Sequence, residues 1–317
     1  MRAAVVDRYG PPEIVRITDL PHPQPKRGTV LVRVAAAGVN SGDARIRGGR
    51  FPAGFGVLAR LGIGLRGPRR HVLGVTLAGT VEALGEDVTE VAVGDRVAGF
   101  TGMRMGAHAQ FSVAPVASLA RIPDTVADTD AAAVTFGGAT AQWFLRDRAK
   151  LQAGETVLVV GATGAVGSAA VQLAALTGAE VTAVGSARNA DLARRLGAAH
   201  HVDYATTPVS AIRERFDLVV DTTGTVDRAT GLRLLGAGGR LALVAASLPD
   251  MIRARGPVLV GTSSERGEDV ATLLGLVAAG RLDPLTTVVG GLDALPDAYR
   301  LIDGGHKVGA LVIEPNS

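Results

Sequence analysis

Residues 155–176, ETVLVVGATGAVGSAAVQLAAL, constrain the fold of this chain more than any other stretch. Residues 157–160 form an unbroken apolar run, the pattern of a strand buried on both faces in a parallel sheet. The run leads into Gly161-Ala162-Thr163-Gly164-Ala165-Val166-Gly167, then into a small-residue helix through Ala169, Ala170, Leu173 and Leu176. A strand, a glycine turn and a helix in that order place free backbone N–H groups at a positively polarised helix N-terminus. Such a turn suits a pyrophosphate. The glycine pattern reads A-x-G-x-x-G, with Ala162 where the dinucleotide fingerprint usually has its first glycine. In a chain with 42 glycines the pattern alone is weak. The preceding strand, the following helix and a second strand at 181–184 strengthen it. A tight strand–helix turn without a ligand is the alternative.

The surrounding texture divides in two. Residues 1 to about 120 are β-rich: 3–6, 29–36, 77–84, 95–100 and 110–113 carry apolar or alternating patterns bounded by Pro and Gly. A helix is expected there only within the 51–66 insert. From about residue 124 the pattern becomes helical at 131–136 and 140–149, then alternates. Strands are expected at 157–160, 181–184, 201–204, 218–221, 241–245 and 258–261, with helices between most of them, including 190–196 and 227–235. That alternation predicts an α/β fold with a doubly wound parallel sheet. A further amphipathic helix (269–279) and a last strand (310–313) follow. The expected division is 1–120 as a β-rich domain, 121–255 as a nucleotide-binding domain, and 256–317 as an edge strand with a return to the first domain. A cleft between such domains, at the carboxyl ends of the sheet, is the expected ligand site.

At 317 residues, with 47% hydrophobic and 20% charged residues, the chain has the composition of a globular protein. The net charge is +3, and the pI of 9.7 reflects arginine abundance. Basic residues read as scattered and aromatics are 3% of the chain, so nucleic acid is not an expected partner. Cysteine is absent, which excludes disulfides and thiolate metal sites. No apolar signal segment opens the chain and no run is long enough to span a membrane, so a cytoplasmic protein is expected.

The second strand of the dinucleotide unit selects the cofactor. An NAD site usually carries an acid at that strand's end. Here the strand ends Val184-Gly185-Ser186-Ala187-Arg188, with no carboxylate until Asp191. Gly185, a hydroxyl at Ser186 and a guanidinium at Arg188 suit a 2′-phosphate, because Arg matches phosphate oxygens in bidentate fashion. NADPH is therefore expected, with a solvated surface arginine as the other reading of Arg188. Tyr204, ending the third strand, is a candidate for stacking. Asp221-Thr222-Thr223-Gly224 and Ala245-Ala246-Ser247 are small, polar strand ends able to admit ribose and nicotinamide. Ordinary turn chemistry explains each one singly just as well.

Further stretches carry a resemblance: AAAGVNSGDARIRGG (35–49), LGVTLAGTVEALGEDVTEVAVGDRVAGF (73–100), GAHAQFSV (106–113), the run from TFGGATAQWFL to LGAAHHVDY (135–204), FDLVVDTTG (216–224), LVAAGRLDPL and GGHKVGALVI. With these, the chain resembles the medium-chain dehydrogenase/reductase superfamily, in its zinc-free, zeta-crystallin-like quinone oxidoreductase branch. The resemblance implies a GroES-like substrate domain split around a Rossmann domain, bound NADPH, reduction of quinones or activated alkenes, and a homodimer.

It also implies site roles. In GVN-x-x-D, Asn40 reaches nicotinamide ribose or substrate and Asp43 anchors the loop, while Thr140, in an expected helix-start segment, lies against the nicotinamide. Arg45 stands where the quinone reductases carry a tyrosine; it is either an oxyanion stabiliser or a solvated side chain on a mobile loop. Arg47 follows at i+2. His108 replaces another family tyrosine and reads first as a structural histidine. Asn40 occupies the position of the zinc relatives' cysteine, and Val75-Thr76 follow Gly74 where their histidine motif falls. No metal is expected. Residues 51–71 read either as a lid over an apolar substrate or as a surface excursion. The expected function is NADPH-dependent reduction of a small apolar carbonyl or quinone. The alternatives are an alcohol/carbonyl dehydrogenase and a non-catalytic NADPH-binding protein.

Overall fold

A computed structural model describes residues 1–317. The chain forms two compact units, one of Met1–Phe51, Gly56–Phe136 and Glu265–Ser317, the other of Pro52–Phe55 and Gly137–Ser264.

In the first unit, β1 (Arg2–Val5) pairs antiparallel with β2 (Arg16–Asp19). Next come β3 (Thr29–Val39), α1 (Ser41–Gly48), α2 (Gly56–Ile63), β4 (Thr76–Leu84), β5 (Arg96–Phe100), β6 (Phe111–Pro115) and β7 (Leu119–Arg121). The long strand β3, TVLVRVAAAGV, is buried along most of its length and pairs with both β4 and β6. Helix α3 (Asp128–Gln142) then continues into a π-helical turn at Trp143–Arg148.

The second unit holds β8 (Thr156–Val160), α4 (Ala165–Thr177), β9 (Glu180–Gly185), α5 (Ala190–Arg195), β10 (His200–Asp203), β11 (Phe216–Asp221), α6 (Arg228–Arg233), β12 (Leu235–Leu243), α7 (Leu248–Ile252) and β13 (Val258–Leu259). The six strands are all parallel, in the order β10-β9-β8-β11-β12-β13. Counted within the unit this is 3-2-1-4-5-6, the dinucleotide-binding order, with its switch point between β8 and β11. Residues 157–160 of β8 are all buried, as a central parallel strand requires. Each such Val or Leu contributes about 1.5–3 kcal/mol by leaving water.

The chain then returns to the first unit with α8 (Gly267–Ala278), β14 (Thr286–Gly290), α9 (Leu295–Asp303) and β15 (Ala310–Ile313), which pairs antiparallel with β3. The resulting seven-stranded sheet packs over a core that includes Val32, Leu77, Val97, Leu295 and Tyr299. No helix is long and apolar enough to cross a membrane.

Several elements differ from the sequence expectation. The two separate helices expected at 131–136 and 140–149 are one helix passing through Gly137-Gly138, so Thr140 lies within α3, not at a helix start. Gly137 does not break the helix. It marks a close approach, since a Cβ there would lie 2.3 Å from the Ala165 carbonyl oxygen. Arg45 lies on a helix, α1, not on a loop. Strands β2, β7 and β14 and helices α1, α7 and α9 were not expected; the strands and α7 are short, whereas α9 buries Leu295, Ala298 and Tyr299 at helical spacing, a period present in the sequence but not read from it.

Candidate nucleotide and active site

The nucleotide cradle is built at the carboxyl end of β8. Gly161 turns the chain with φ +79° and Gly164 caps α4 in extended conformation, so α4 begins at Ala165. Gly167 packs the first turn of α4 against the strand end: a Cβ there would sit 2.0 Å from the Gly161 carbonyl oxygen. This is the close helix–strand approach that the last glycine of the fingerprint provides. Ala162 is fully buried and its amide donates to the Val184 carbonyl, tying the turn to β9. With Thr163, Ala165 and Val166, it forms a turn of small residues opening on the N-terminus of a thirteen-residue helix.

The ends of the neighbouring strands close around this turn. Gly185 ends β9, Ser186 follows it, and Arg188 lies in the short 3-10 turn Ala187–Asn189. The Ser186 hydroxyl is buried with no partner in the chain. Asn189 donates from Nδ2 to Thr163 Oγ1 at 3.0 Å, joining the β9 end to the glycine turn. Sequence reasoning passed over this residue, although an Asn just beyond a strand end can bridge two loops. Tyr204 lies just beyond β10; its amide donates to the Gly185 carbonyl and its ring is half-exposed.

Beyond β11, Asp221 organises the loop. Its carboxylate accepts from the amides of Thr223, Gly224 and Val226 and from the Thr223 hydroxyl at 2.6 Å. Thr222 donates from Oγ1 to the Val160 carbonyl at 2.8 Å. Gly224 lies against Ala245, and Ala246 and Ser247 follow. Ser247 caps the short helix α7 together with Asp250. Residues 162–166, 185–188, 204, 222–224 and 245–247 thus lie at or just beyond the carboxyl ends of β8, β9, β10, β11 and β12. Asp221 was read only as part of its motif; its role as the anchor of four donors emerges from the fold.

Asn40, Asp43 and Arg45 lie in the first unit and Thr140, buried on α3, in the second. Asn40 is the N-cap of α1, its Oδ1 accepting from the amides of Gly42 (2.8 Å) and Asp43 (3.2 Å). Asp43 returns the bond, accepting from the Asn40 amide at 3.0 Å, which completes a capping box. With Oδ1 committed, the Asn40 Nδ2 group is fixed in direction, buried, and has no partner in the chain. Asp43 also accepts from the Gly74 amide at 3.3 Å, and its Oδ2 lies 4.0 Å from His108 Nε2. Burial pushes the Asp43 carboxyl up, against the opposing pull of His108 and the two amides.

His108 is fully buried, and its Nε2 lies 3.1 Å from the Gly38 carbonyl oxygen, which can only accept. That contact assigns the ring proton to Nε2. Burial pushes the imidazole below its ordinary range, outweighing Asp43, so the ring is neutral at pH 7. In this state His108 braces β3 against the 73–74 loop.

Arg45 is half-buried. Two residues on, Arg47 is buried to 1% exposure, donates to Asp303 at 2.6 Å and to the Gly10 carbonyl, and stacks 5.1 Å over the Tyr299 ring. Arg47 is therefore a core residue joining α1 to α9, a role that its spacing in the sequence did not signal.

These residues do not fit zinc. No three His, Asp or Glu side chains gather to hold a metal, cysteine is absent, and the Asn40 oxygen already accepts two amides. The cradle, by contrast, has the chemistry a dinucleotide requires: an open helix N-terminus, a turn closed to larger side chains at Gly167, and an unpartnered buried hydroxyl at Ser186.

Comparison with known proteins gives two family-model matches: the alcohol dehydrogenase GroES-like domain over residues 26–124 and the zinc-binding dehydrogenase over 165–273. A quinone oxidoreductase of Pseudomonas aeruginosa is 38% identical over 198 residues, 62% of this chain and 57% of that one. Matches to polyketide synthases cover 5 to 10% of those much longer chains. Among solved structures, the Coxiella burnetii quinone oxidoreductase superposes with a TM-score of 0.87 at 27% identity, covering 99% of each chain. A mycobacterial protein solved with NADPH gives a TM-score of 0.82 at 28% identity, over 99% of this chain and 100% of that one.

Proposed function

We infer a reductase from a plain premise: the chain belongs to the medium-chain dehydrogenase/reductase superfamily, in its quinone oxidoreductase branch. Its reaction is the NADPH-dependent reduction of a quinone or of an α,β-unsaturated carbonyl, without zinc. The observation that carries this reading is the cradle at the switch point of a 3-2-1-4-5-6 sheet, whose second strand is followed by Ser186 and Arg188 with no acid.

In this reading the amides of 163–166 hold the pyrophosphate, Ser186 and Arg188 hold the 2′-phosphate, and Tyr204 flanks the adenine. Residues 222–224 and 245–247 line the ribose and nicotinamide, with Thr140 against the ring. The bound cofactor supplies the hydride. The capping box aims the Asn40 Nδ2 donor, and such a preorganised donor stabilises negative charge developing on a carbonyl oxygen. Asp43 holds Asn40 in register, and Arg45, on the same helix, supplies a positive charge for that oxygen. His108, already donating to the Gly38 carbonyl, is not used as the acid, so solvent supplies the proton. A cytoplasmic homodimer, pairing through the sheet edge at β13, completes the proposal.

Incubation with NADPH and naphthoquinone, or with a panel of enals and enones, tests the reading through loss of NADPH absorbance. Turnover on a member of either class supports it. Tight NADPH binding with no transfer to any acceptor would instead mark a non-catalytic nucleotide-binding protein.

A further inference from the structure

Between Asp43 and Glu82 the chain has no acidic residue and seven arginines: Arg45, Arg47, Arg50, Arg60, Arg66, Arg69 and Arg70. The basic residues, which read as scattered, are denser here than elsewhere, although Arg47 and Arg50 both pair with Asp303. The same stretch carries Val57, Leu58, Leu61 and Leu65, which are 74, 58, 56 and 65% exposed. Four of the chain's thirteen exposed large apolar side chains therefore fall within nine consecutive positions. Val57, Leu58 and Leu61 share one face of α2, with 57 and 58 four and three before 61, and Leu65 follows just past the end of the helix at Ile63.

The opposite side of α2 is fixed. Ala59 and Ile63 face inward, half-buried. The Tyr9 hydroxyl donates to the Gly64 carbonyl, the Tyr9 ring meets Phe51 edge-on, and Arg60 stacks 5.6 Å from its centroid. The Tyr9 amide donates to the Arg66 carbonyl, and the Arg69 amide to that of Ile63. Of the acids beside the insert, Asp7 is already engaged by Arg16 and His71, and Asp303 by Arg47 and Arg50. Arg66 and Arg70 have no acidic partner. The insert is thus a helix pinned on its inner side, with uncovered apolar side chains outside, followed in the chain by the exposed Arg66, Arg69 and Arg70.

We propose that this apolar face is a docking surface for an anionic lipid bilayer, with α2 lying in the headgroup region and Arg66, Arg69 and Arg70 on the phosphates. Exposed apolar side chains followed at once by exposed arginines match the two components of such a surface, and a short helix needs both for binding. A second copy of the chain fits poorly, because isologous pairing would oppose two arginine-rich faces with no acid between them. A bilayer is also where long-tailed apolar quinones dissolve. That consequence rests on the reductase reading, whereas lipid binding can be measured without turnover.

The test is flotation of the full chain with vesicles of phosphatidylcholine alone and of phosphatidylcholine containing about a third phosphatidylglycerol. The protein should float only with the anionic vesicles and be released by high salt. Leu58→Ser/Leu61→Ser should abolish flotation, and Arg66→Gln/Arg70→Gln should lower it about thirtyfold. Far-UV circular dichroism and NADPH affinity should be unchanged in both variants. No flotation of the unmodified protein with anionic vesicles overturns the proposal, whatever the variants do. Equal flotation with both lipids, or of the leucine variant, also overturns it. So does a change of oligomeric state in that variant, which would mark a self-interface. A raised KM for a water-soluble naphthoquinone, with flotation unchanged, would mark a lid.

Discussion

The glycine turn of β8–α4 and the knot around Asn40 solve the same problem, fixing hydrogen-bond donors in space, by opposite means. At the turn the donors are backbone amides, held by close packing of residues adjacent in sequence: Gly161, Gly164 and Gly167. At the knot the fixed donor is a side-chain amide, held by bonds that gather residues 38, 40, 43, 74 and 108. The first arrangement is sensitive to volume and the second to charge and hydrogen-bond count. That difference determines how each should fail.

Gly167→Val should have the largest effect, because its first added carbon meets the Gly161 carbonyl at 2.0 Å. Overpacking of about 3 kcal/mol would weaken NADPH binding about a hundredfold by titration calorimetry. Gly164→Ala, whose Cβ would lie 3.5 Å from the same oxygen, should be nearly neutral and so localises the constraint. In the first unit, Arg47→Met removes the buried one of the two arginines on Asp303, which keeps Arg50. Loss of hydrogen bonds to a charged group in this way costs about 1.5–3 kcal/mol, read as a lowered denaturant midpoint, with NADPH affinity unchanged.

Arg188→Ala should weaken NADPH binding about tenfold to a hundredfold, the worth of one charge-assisted bond, and leave NADH binding nearly unaltered. Equal losses for both cofactors would break the assignment of the 2′-phosphate site.

The smallest effect is a pH dependence. Because burial lowers the His108 pKa below 6.5, the unfolded chain takes up protons at this position that the folded chain excludes. Stability from this group is therefore full above pH 6.5 and is lost as pH falls from 6.5 toward the lowered folded value. Asp43, raised by burial, acts with the opposite sign at lower pH, from its folded value down toward 3.8. Thermal melts of His108→Gln against the unmodified protein should diverge in pH slope only below 6.5, with the variant flatter.

The same contrast explains what was legible in the sequence. The parallel sheet and its turn were, because an apolar run of 157–160 and glycines six apart are local signals of local packing. The α/β class and the GroES-like partner followed from pattern and resemblance, and family models match both halves. The continuity of α3 was hidden because Gly137 looks like a breaker until Ala165 is seen against it. Asn189, Arg47 and the Asp221 anchor were hidden because their partners lie 26, 256 and only 2 to 5 residues away, separations with no periodic signature. The apolar face of α2 was visible as letters, but its exposure depends on Tyr9 holding the other side.

The central claim is metal-free hydride transfer from NADPH by a chain whose zinc-ligand positions carry Asn40 and Val75-Thr76. It is tested most directly with NADPH deuterated at C4, an enone acceptor and protein dialysed against a strong chelator. The account predicts product one deuterium heavier at the β-carbon, formed at the rate of the untreated protein. Loss of transfer on chelation, restored by added zinc, would contradict it.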